Sequence, residues 1–82
     1  MTNTKIKVKT NEMEVIEAIN YMYGLGSFRE SEKRLADGEY TREEIYKAIA
    51  WYRGDGLPYK EKKEWVANVG LQEVIKDYEN LI

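Results

Sequence analysis

Residues 40–56, which read YTREEIYKAIAWYRGDG, carry the strongest structural signal in the chain. Thr41, with Glu44 three residues later, forms a capping box, in which each side chain satisfies a backbone amide that the first helical turn leaves free. Apolar residues follow at helical spacing, at Ile45, Ala48, Ile49 and Tyr52. Glycines at 54 and 56 then supply a stop. This segment predicts an amphipathic helix with one side buried in a core.

A helix is also predicted on the N-terminal side of this segment. It begins with a capping pair, Asn11 and Glu14, and ends at Gly24, because glycine accepts the left-handed backbone that often closes a helix. Its apolar stripe comprises Val15, Ile16, Ile19, Met22 and Tyr23. The spacing of these residues predicts that one side of the helix is buried.

A second capping box opens at Ser27, and Asp37-Gly38 would close the helix that it begins. This helix has few apolar residues, which indicates that it is loosely held or faces something outside the domain. The sequence leaves open whether residues 28–40 form this helix or a hairpin that turns at Asp37-Gly38.

The first ten residues predict a short strand. Ile6 and Val8 alternate with lysines at 5, 7 and 9, and a period of two places one face against a core. The strand could pair with a weak segment near residues 35–40, with its own copy in a homodimer, or with an edge strand of another protein. Alternatively, these residues form a basic arm that becomes ordered on binding.

Two helices are predicted in the C-terminal third. The first runs from Pro58 to about Asn68, since proline is favoured at the first helical position. The second follows Gly70. Its apolar side comprises Leu71, Val74, Ile75, Tyr78, Leu81 and Ile82.

These elements predict a mostly α fold: a single small helical domain of four to five short helices with one short N-terminal β-strand or β-hairpin. A chain of 82 residues has room for one core. Residues 1–10 would form the strand or basic arm, and residues 11–82 the helical core. A domain of this size is marginally stable, because it buries a limited part of its surface.

The composition argues against catalysis. The chain has no His and no Cys, which removes the commonest general base, the commonest metal ligand and thiol chemistry. Carboxylates occur in pairs at Glu12/Glu14, Glu30/Glu32 and Glu43/Glu44. Each pair begins a helix, where the helix dipole favours acidic residues for structural reasons. We therefore expect a protein that is not an enzyme and that holds no metal or cofactor.

Charge and hydropathy narrow the possible partners. The net charge of -2 argues against a surface that binds phosphate throughout. No run reaches the roughly 18 apolar residues that a membrane span needs. Residues 1–5, MTNTK, lack the apolar core of a signal peptide. A cytoplasmic protein without membrane contact is the expectation.

Aromatic residues carry the remaining functional signal, with seven Tyr and two Trp in a short chain. Trp and Tyr most often anchor protein interfaces. The candidate partner-binding residues are Tyr21, Tyr46, Trp51, Tyr59, Lys62 and Trp65. Lys62 falls in the middle of an apolar stripe of its predicted helix. Its stem could cover apolar surface while its ammonium reaches water, or it could meet a carboxylate, internal or on a partner.

An alternative interpretation is a DNA-binding regulator that uses the helix at residues 59–68. Lys60 and Lys63 would contact phosphates, and Asn68 or Tyr59 would reach bases. Two features weaken it. Glutamates at 61 and 64 interleave with the lysines, and the turn before the helix is longer than that of a helix-turn-helix motif.

The sequence thus favours a non-enzymatic protein-binding module, with a homodimer through the N-terminal strand as a further possibility. Richness in Lys, Glu, Asn, Ile and Tyr is what AT-rich coding produces, as in low-GC bacteria and their phages. We therefore expect a small inhibitor or regulator, of phage or mobile-element type, that docks on a larger protein. Such a target could be a nucleic-acid-handling protein of a host defence system.

Overall fold

The computed structural model describes residues 5–8 and 12–79. Helices α1 (Met13–Tyr23), α2 (Phe28–Ala36) and α3 (Arg42–Arg53) are followed by α4 (Tyr59–Trp65), a π-helical turn (Val66–Gly70) and α5 (Leu71–Asp77). Strands β1 (Lys5–Ile6) and β2 (Tyr40–Thr41) have two residues each. The π turn joins α4 to α5 without a break. The mostly α, single-domain fold predicted from the sequence is confirmed.

Helix α3 lies at the centre of the fold and packs against both α1 and α5. Its predicted stripe is buried at Ile45, Ala48 and Ile49. The capping box at its start forms as predicted: the Glu44 amide donates to Thr41 Oγ1 at 3.1 Å, and the Thr41 amide donates to Glu44 Oε1 at 2.8 Å. Local sequence and tertiary packing therefore agree in this helix.

Two predicted caps differ in detail. Helix α1 begins one residue later than expected, with Glu12 rather than Asn11 as N-cap and without a side-chain cap bond; Asn11 lies outside the described residues. In α2, Ser27 Oγ accepts from the Glu30 amide at 3.1 Å. The Glu30 carboxylate instead accepts from Arg34 at 2.8 Å, since a cation one turn later competes for it.

The N-terminal strand pairs within the chain. β1 and β2 are antiparallel, with Lys5 opposite Thr41 and Ile6 opposite Tyr40. Residues 28–36 form a helix, so Asp37-Gly38 ends α2 and does not turn a hairpin. One edge of β1 is thus occupied by β2. The homodimer through this strand stays a prediction.

The predicted break at Gly70 is wrong. Gly70 has helical backbone angles (φ -61°, ψ -44°), and the chain continues through it. The Trp65 ring lies against its Cα: a Cβ added at Gly70 would stand 2.5 Å from Trp65 Cζ3. The glycine therefore allows the ring to approach and does not stop the helix. Pro58 is the N-cap of α4 and not its first helical residue, so this helix begins one position later than expected.

Two residues of the predicted apolar stripes lie at the surface. Tyr23 of α1 is exposed on one side and stacks on Tyr40 with ring centroids 4.7 Å apart. Ile75 of α5 is exposed, whereas Val74 of that helix is buried and Leu71 packs against the core. Leu81 and Ile82 lie outside the described residues. No helix within residues 12–79 combines the length and the apolar character that a membrane crossing requires.

A polar cluster ties α1, α3 and the end of α5 together. Arg53 holds both oxygens of Glu14, at 2.8 and 2.9 Å, and reaches Asp77 Oδ2 at 3.0 Å. Tyr78 donates its hydroxyl proton to Glu14 Oε1 at 2.6 Å. The Arg53 hydrogen bonds hold the pKa of Glu14 below its ordinary value of 4.5, against the opposing effect of partial burial. Burial raises the pKa of the Tyr78 hydroxyl, and the hydrogen bond to Glu14 raises it further.

We expect this cluster to make the stability of the fold decrease at acidic pH. The pKa of Glu14 is lower in the folded chain than in the unfolded chain, so its contribution is fully present above pH 4.5 and is lost as pH falls through the folded pKa. Glu14→Gln should cost about 1–2 kcal/mol at neutral pH, because charge-assisted hydrogen bonds are lost at a partly exposed site. It should also flatten the decline of the melting temperature below about pH 4.5.

Glu30→Gln is the matched control. It breaks the Glu30–Arg34 pair, which is solvent-exposed and therefore screened. Thermal unfolding followed by circular dichroism at several pH values makes the comparison. Equal effects of the two substitutions would show that the Arg53 cluster does not join the helices.

Candidate binding groove

An open groove of about 530 Å³ lies between α1, α3 and α4. It is lined by the end of α1, one side of α3 and the first turn of α4. The lining side chains are Tyr21, Met22, Lys47, Trp51, Tyr59 and Lys62. We call this the aromatic groove.

Helical spacing explains why these side chains share one groove. Lys47 and Trp51 are four residues apart on α3, and Tyr59 and Lys62 are three apart on α4, so each pair lies on one side of its helix. Gly54, at the end of α3, lets α4 approach closely. A Cβ there would stand 3.3 Å from Lys62 Cγ and 3.2 Å from Trp65 Cε3.

One wall of the groove consists of stacked aromatic rings. Trp51 and Tyr59 have ring centroids 6.1 Å apart and an interplanar angle of 27°. Trp51 is half-buried, whereas Tyr59 is 71% exposed. Across the groove, the Tyr21 ring meets Tyr52 edge to face at 5.6 Å. Such rings offer a large apolar area in a fixed orientation.

Lys62 is buried at the base of this wall, with only 8% of the residue exposed. Its ammonium lies 4.8 Å from the Tyr21 ring centroid and 5.0 Å from that of Trp51, and it donates a hydrogen bond to the Tyr21 hydroxyl. Tyr21 in turn donates to Asp55 Oδ1 at 3.2 Å. The stem of Lys62 is buried as expected, and the ammonium lies beside two rings in a side chain that lines the open groove. Among residues 5–8 and 12–79, Lys62 is linked to a carboxylate through Tyr21, which bonds to Asp55.

Four of the six predicted partner-binding residues line the aromatic groove: Tyr21, Trp51, Tyr59 and Lys62. Tyr46 does not, because it is buried, with 6% exposed, and its hydroxyl donates to the Tyr78 carbonyl at 3.1 Å. Because α3 lies at the centre of the fold, the side of the helix that carries Tyr46 is covered as well as the apolar stripe. Tyr46 therefore belongs to the core and offers no surface to a partner.

Trp65 lies in a separate, shallower groove of about 370 Å³. Its neighbours there are Leu57, Glu61, Glu64, Asn68 and Val69. Two residues of the aromatic groove, Met22 and Lys47, were not singled out from the sequence. The position of Lys47 one turn before Trp51 was the available signal.

Of the residues of the DNA-binding alternative, Tyr59 lines the aromatic groove, whereas Lys60, Lys63 and Asn68 lie outside it. Lys60 and Lys63 are exposed on α4, and the adjacent Glu61 and Glu64 are exposed as well. Asn68 is exposed on the π turn. Positive and negative charges therefore alternate along the surface that would have to face the phosphates.

No group of three or more acidic side chains that could hold a metal ion occurs among the described residues. Comparison of the chain with protein-family models, with curated proteins and with solved structures finds no match in any of the three.

Proposed function

We propose that the chain is a non-enzymatic protein-binding module and that the aromatic groove receives its partner. One observation carries this proposal: Tyr59 is 71% exposed, and its ring stacks on that of the half-buried Trp51. A large ring on the surface of a small acidic domain can gain free energy by burial against another protein.

The arrangement of the groove supports a preorganised site. Trp51 is fixed by α3, and Tyr21 is fixed by Tyr52 and by its hydrogen bond to Asp55. Side chains that are ordered before binding lose little conformational entropy when the partner arrives. The groove can therefore bind a partner with a small cost in conformational entropy.

A module of 82 residues that only binds would act by occupying a surface of a larger protein. In this sense we propose a regulator or inhibitor, of the phage or mobile-element type that the composition favours. The alternation of lysines and glutamates on α4 favours this function over duplex DNA binding.

Tyr59→Ala is expected to weaken partner binding by more than about 1 kcal/mol, because truncating an aromatic anchor removes the contact that it makes. Ligands are obtained by selecting random peptides displayed on phage against the full chain. Affinities of the synthesised peptides are then measured by isothermal titration calorimetry. The fold should be unaffected, since the Tyr59 side chain is mostly in solvent.

Phe28→Ala is the matched control, because Phe28 is 45% exposed on α2 and lies outside the aromatic groove. Peptides that bind Tyr59→Ala as tightly as the parent would refute the groove as the binding site. Tight, salt-sensitive binding of duplex DNA that is lost on replacing Lys60 and Lys63 by Glu would favour the DNA-binding alternative.

A further inference from the structure

Resting on the proposed function, we infer that the aromatic groove binds a carboxylate of the partner protein, namely an Asp or Glu side chain beside an apolar or aromatic residue. The carboxylate pairs with Lys62, and its apolar neighbour packs on Trp51 and Tyr59. The groove is thus specific for an acidic segment of a protein.

Lys62 is buried and forms no ion pair among the described residues. The described residues form ion pairs at Lys33, Arg34 and Arg53, and Lys62 is not among them. A buried cation without a counter-ion is unfavourable, and contacts with ring faces recover only part of the loss. An ammonium has three donors, of which the Tyr21 hydroxyl takes one. A carboxylate entering the groove would accept from the others.

The Tyr21 hydroxyl keeps Lys62 in position. Because Tyr21 donates its proton to Asp55, the lone pairs of its oxygen are free to accept from Lys62. This relay orients the ammonium before a ligand arrives. The conformational entropy of the long lysine side chain is therefore already lost on folding, and binding does not reduce it further.

Charge and shape complementarity complete the site. Lys47 is exposed, lines the same groove and has no ion pair among residues 5–8 and 12–79. Two cations, one buried and one exposed, thus face a single open space. Met22, Trp51 and Tyr59 supply the apolar surface beside them. This combination fits a carboxylate with an adjacent apolar side chain.

Single-stranded nucleic acid is the competing ligand, since it also uses cations and aromatic rings. It requires a positively charged track that follows several phosphates. Here Asp55 stands beside Tyr21 at the groove, and glutamates interrupt the lysines of α4. A chain of several phosphates would meet all of these negative charges, whereas a single carboxylate at Lys62 and Lys47 would have only Asp55 near it among them.

The test uses peptides selected from a displayed random library on the full chain, resynthesised with Asn or Gln in place of each Asp or Glu. We expect the selected peptides to carry an acid next to an apolar residue. The change from acid to amide should weaken binding to the parent about tenfold or more, the size expected for a lost charge-assisted hydrogen bond. This comparison requires no protein variant.

Lys62→Met supplies the reciprocal comparison, with Lys63→Met on the exposed side of α4 as its matched control. Methionine is similar in length and fills the same space, so the fold should persist. Lys62→Met should weaken the acidic peptide about tenfold or more and bind the acid and the amide equally. Lys63→Met should bind both peptides as the parent does.

Two results separate failure of this inference from failure of the proposed function. Peptides that lose affinity on Tyr59→Ala but tolerate the change from acid to amide would overturn the carboxylate site and leave the groove as a protein-binding site. Absence of any peptide that depends on Tyr59 would overturn both. Binding of an oligothymidylate single strand that depends on Lys62 would identify the ligand as nucleic acid and overturn the inference.

Discussion

Ile49→Asp is expected to abolish the folded state at or near room temperature. Ile49 is fully buried in α3, the helix against which α1 and α5 pack. An unpaired carboxylate there costs several kcal/mol in desolvation. The total stability of a domain of this size is only about 5 kcal/mol at the low end of the usual range, so one substitution can consume it.

Two controls isolate burial as the cause. Lys47→Asp places the same residue on the exposed side of the same helix, and Ile49→Val removes one methylene from the core at a cost of about 1 kcal/mol. Both variants should remain folded by circular dichroism. If Ile49→Asp melted within a few degrees of the parent, the orientation of α3 would be wrong.

Local signals were sufficient to predict α3. The Thr41–Glu44 box, the spacing of Ile45 and Ile49 and the glycines after Arg53 all act within a few residues of one another. Such features are determined by the chain itself and need no knowledge of distant partners. The start of α2 at Ser27 and the end of α1 at Gly24 follow the same logic.

Distant contacts explain what the sequence did not predict. The sequence predicts Tyr46 as a partner-binding residue, yet the C-terminal end of α5 packs on it and its hydroxyl donates to the Tyr78 carbonyl. Lys62 is buried together with Val66, but Tyr59 and Val69 on the same predicted side are exposed. The rings beside its ammonium come from α1 and α3. Periodicity gives the side of a helix on which a residue lies, and it does not give the neighbours on that side.

Gly70 shows how one residue type serves two structural purposes. Near the end of a helical pattern glycine usually marks the end of the helix, and the sequence predicts such an end at Gly70. In the structure the Leu71 amide bonds to the Val66 carbonyl five residues earlier, which is the pattern of a π turn. The wider turn continues the helix, and the absence of a side chain at Gly70 leaves room for the Trp65 ring.

Gly70→Ala is therefore expected to destabilise the chain, although alanine is the better helix former. In an ordinary helix this change stabilises by about 0.5–1 kcal/mol. Here the new Cβ would meet three atoms of the Trp65 ring at 2.5, 2.9 and 2.9 Å, so the half-buried ring must move. Overpacking of this kind costs about 1–3 kcal/mol, which outweighs the gain in helix propensity. Urea unfolding of the two proteins measures the difference.

The decisive control repeats the substitution in a Trp65→Leu background. Leucine lacks the ring atoms that a Cβ at Gly70 would meet, so only the helix propensity remains and Gly70→Ala should become stabilising. A reversal of sign between the two backgrounds would locate the coupling at the Trp65–Gly70 contact, because the two changes would then be non-additive. Stabilisation by Gly70→Ala in both backgrounds would mean that the ring does not lie against the glycine.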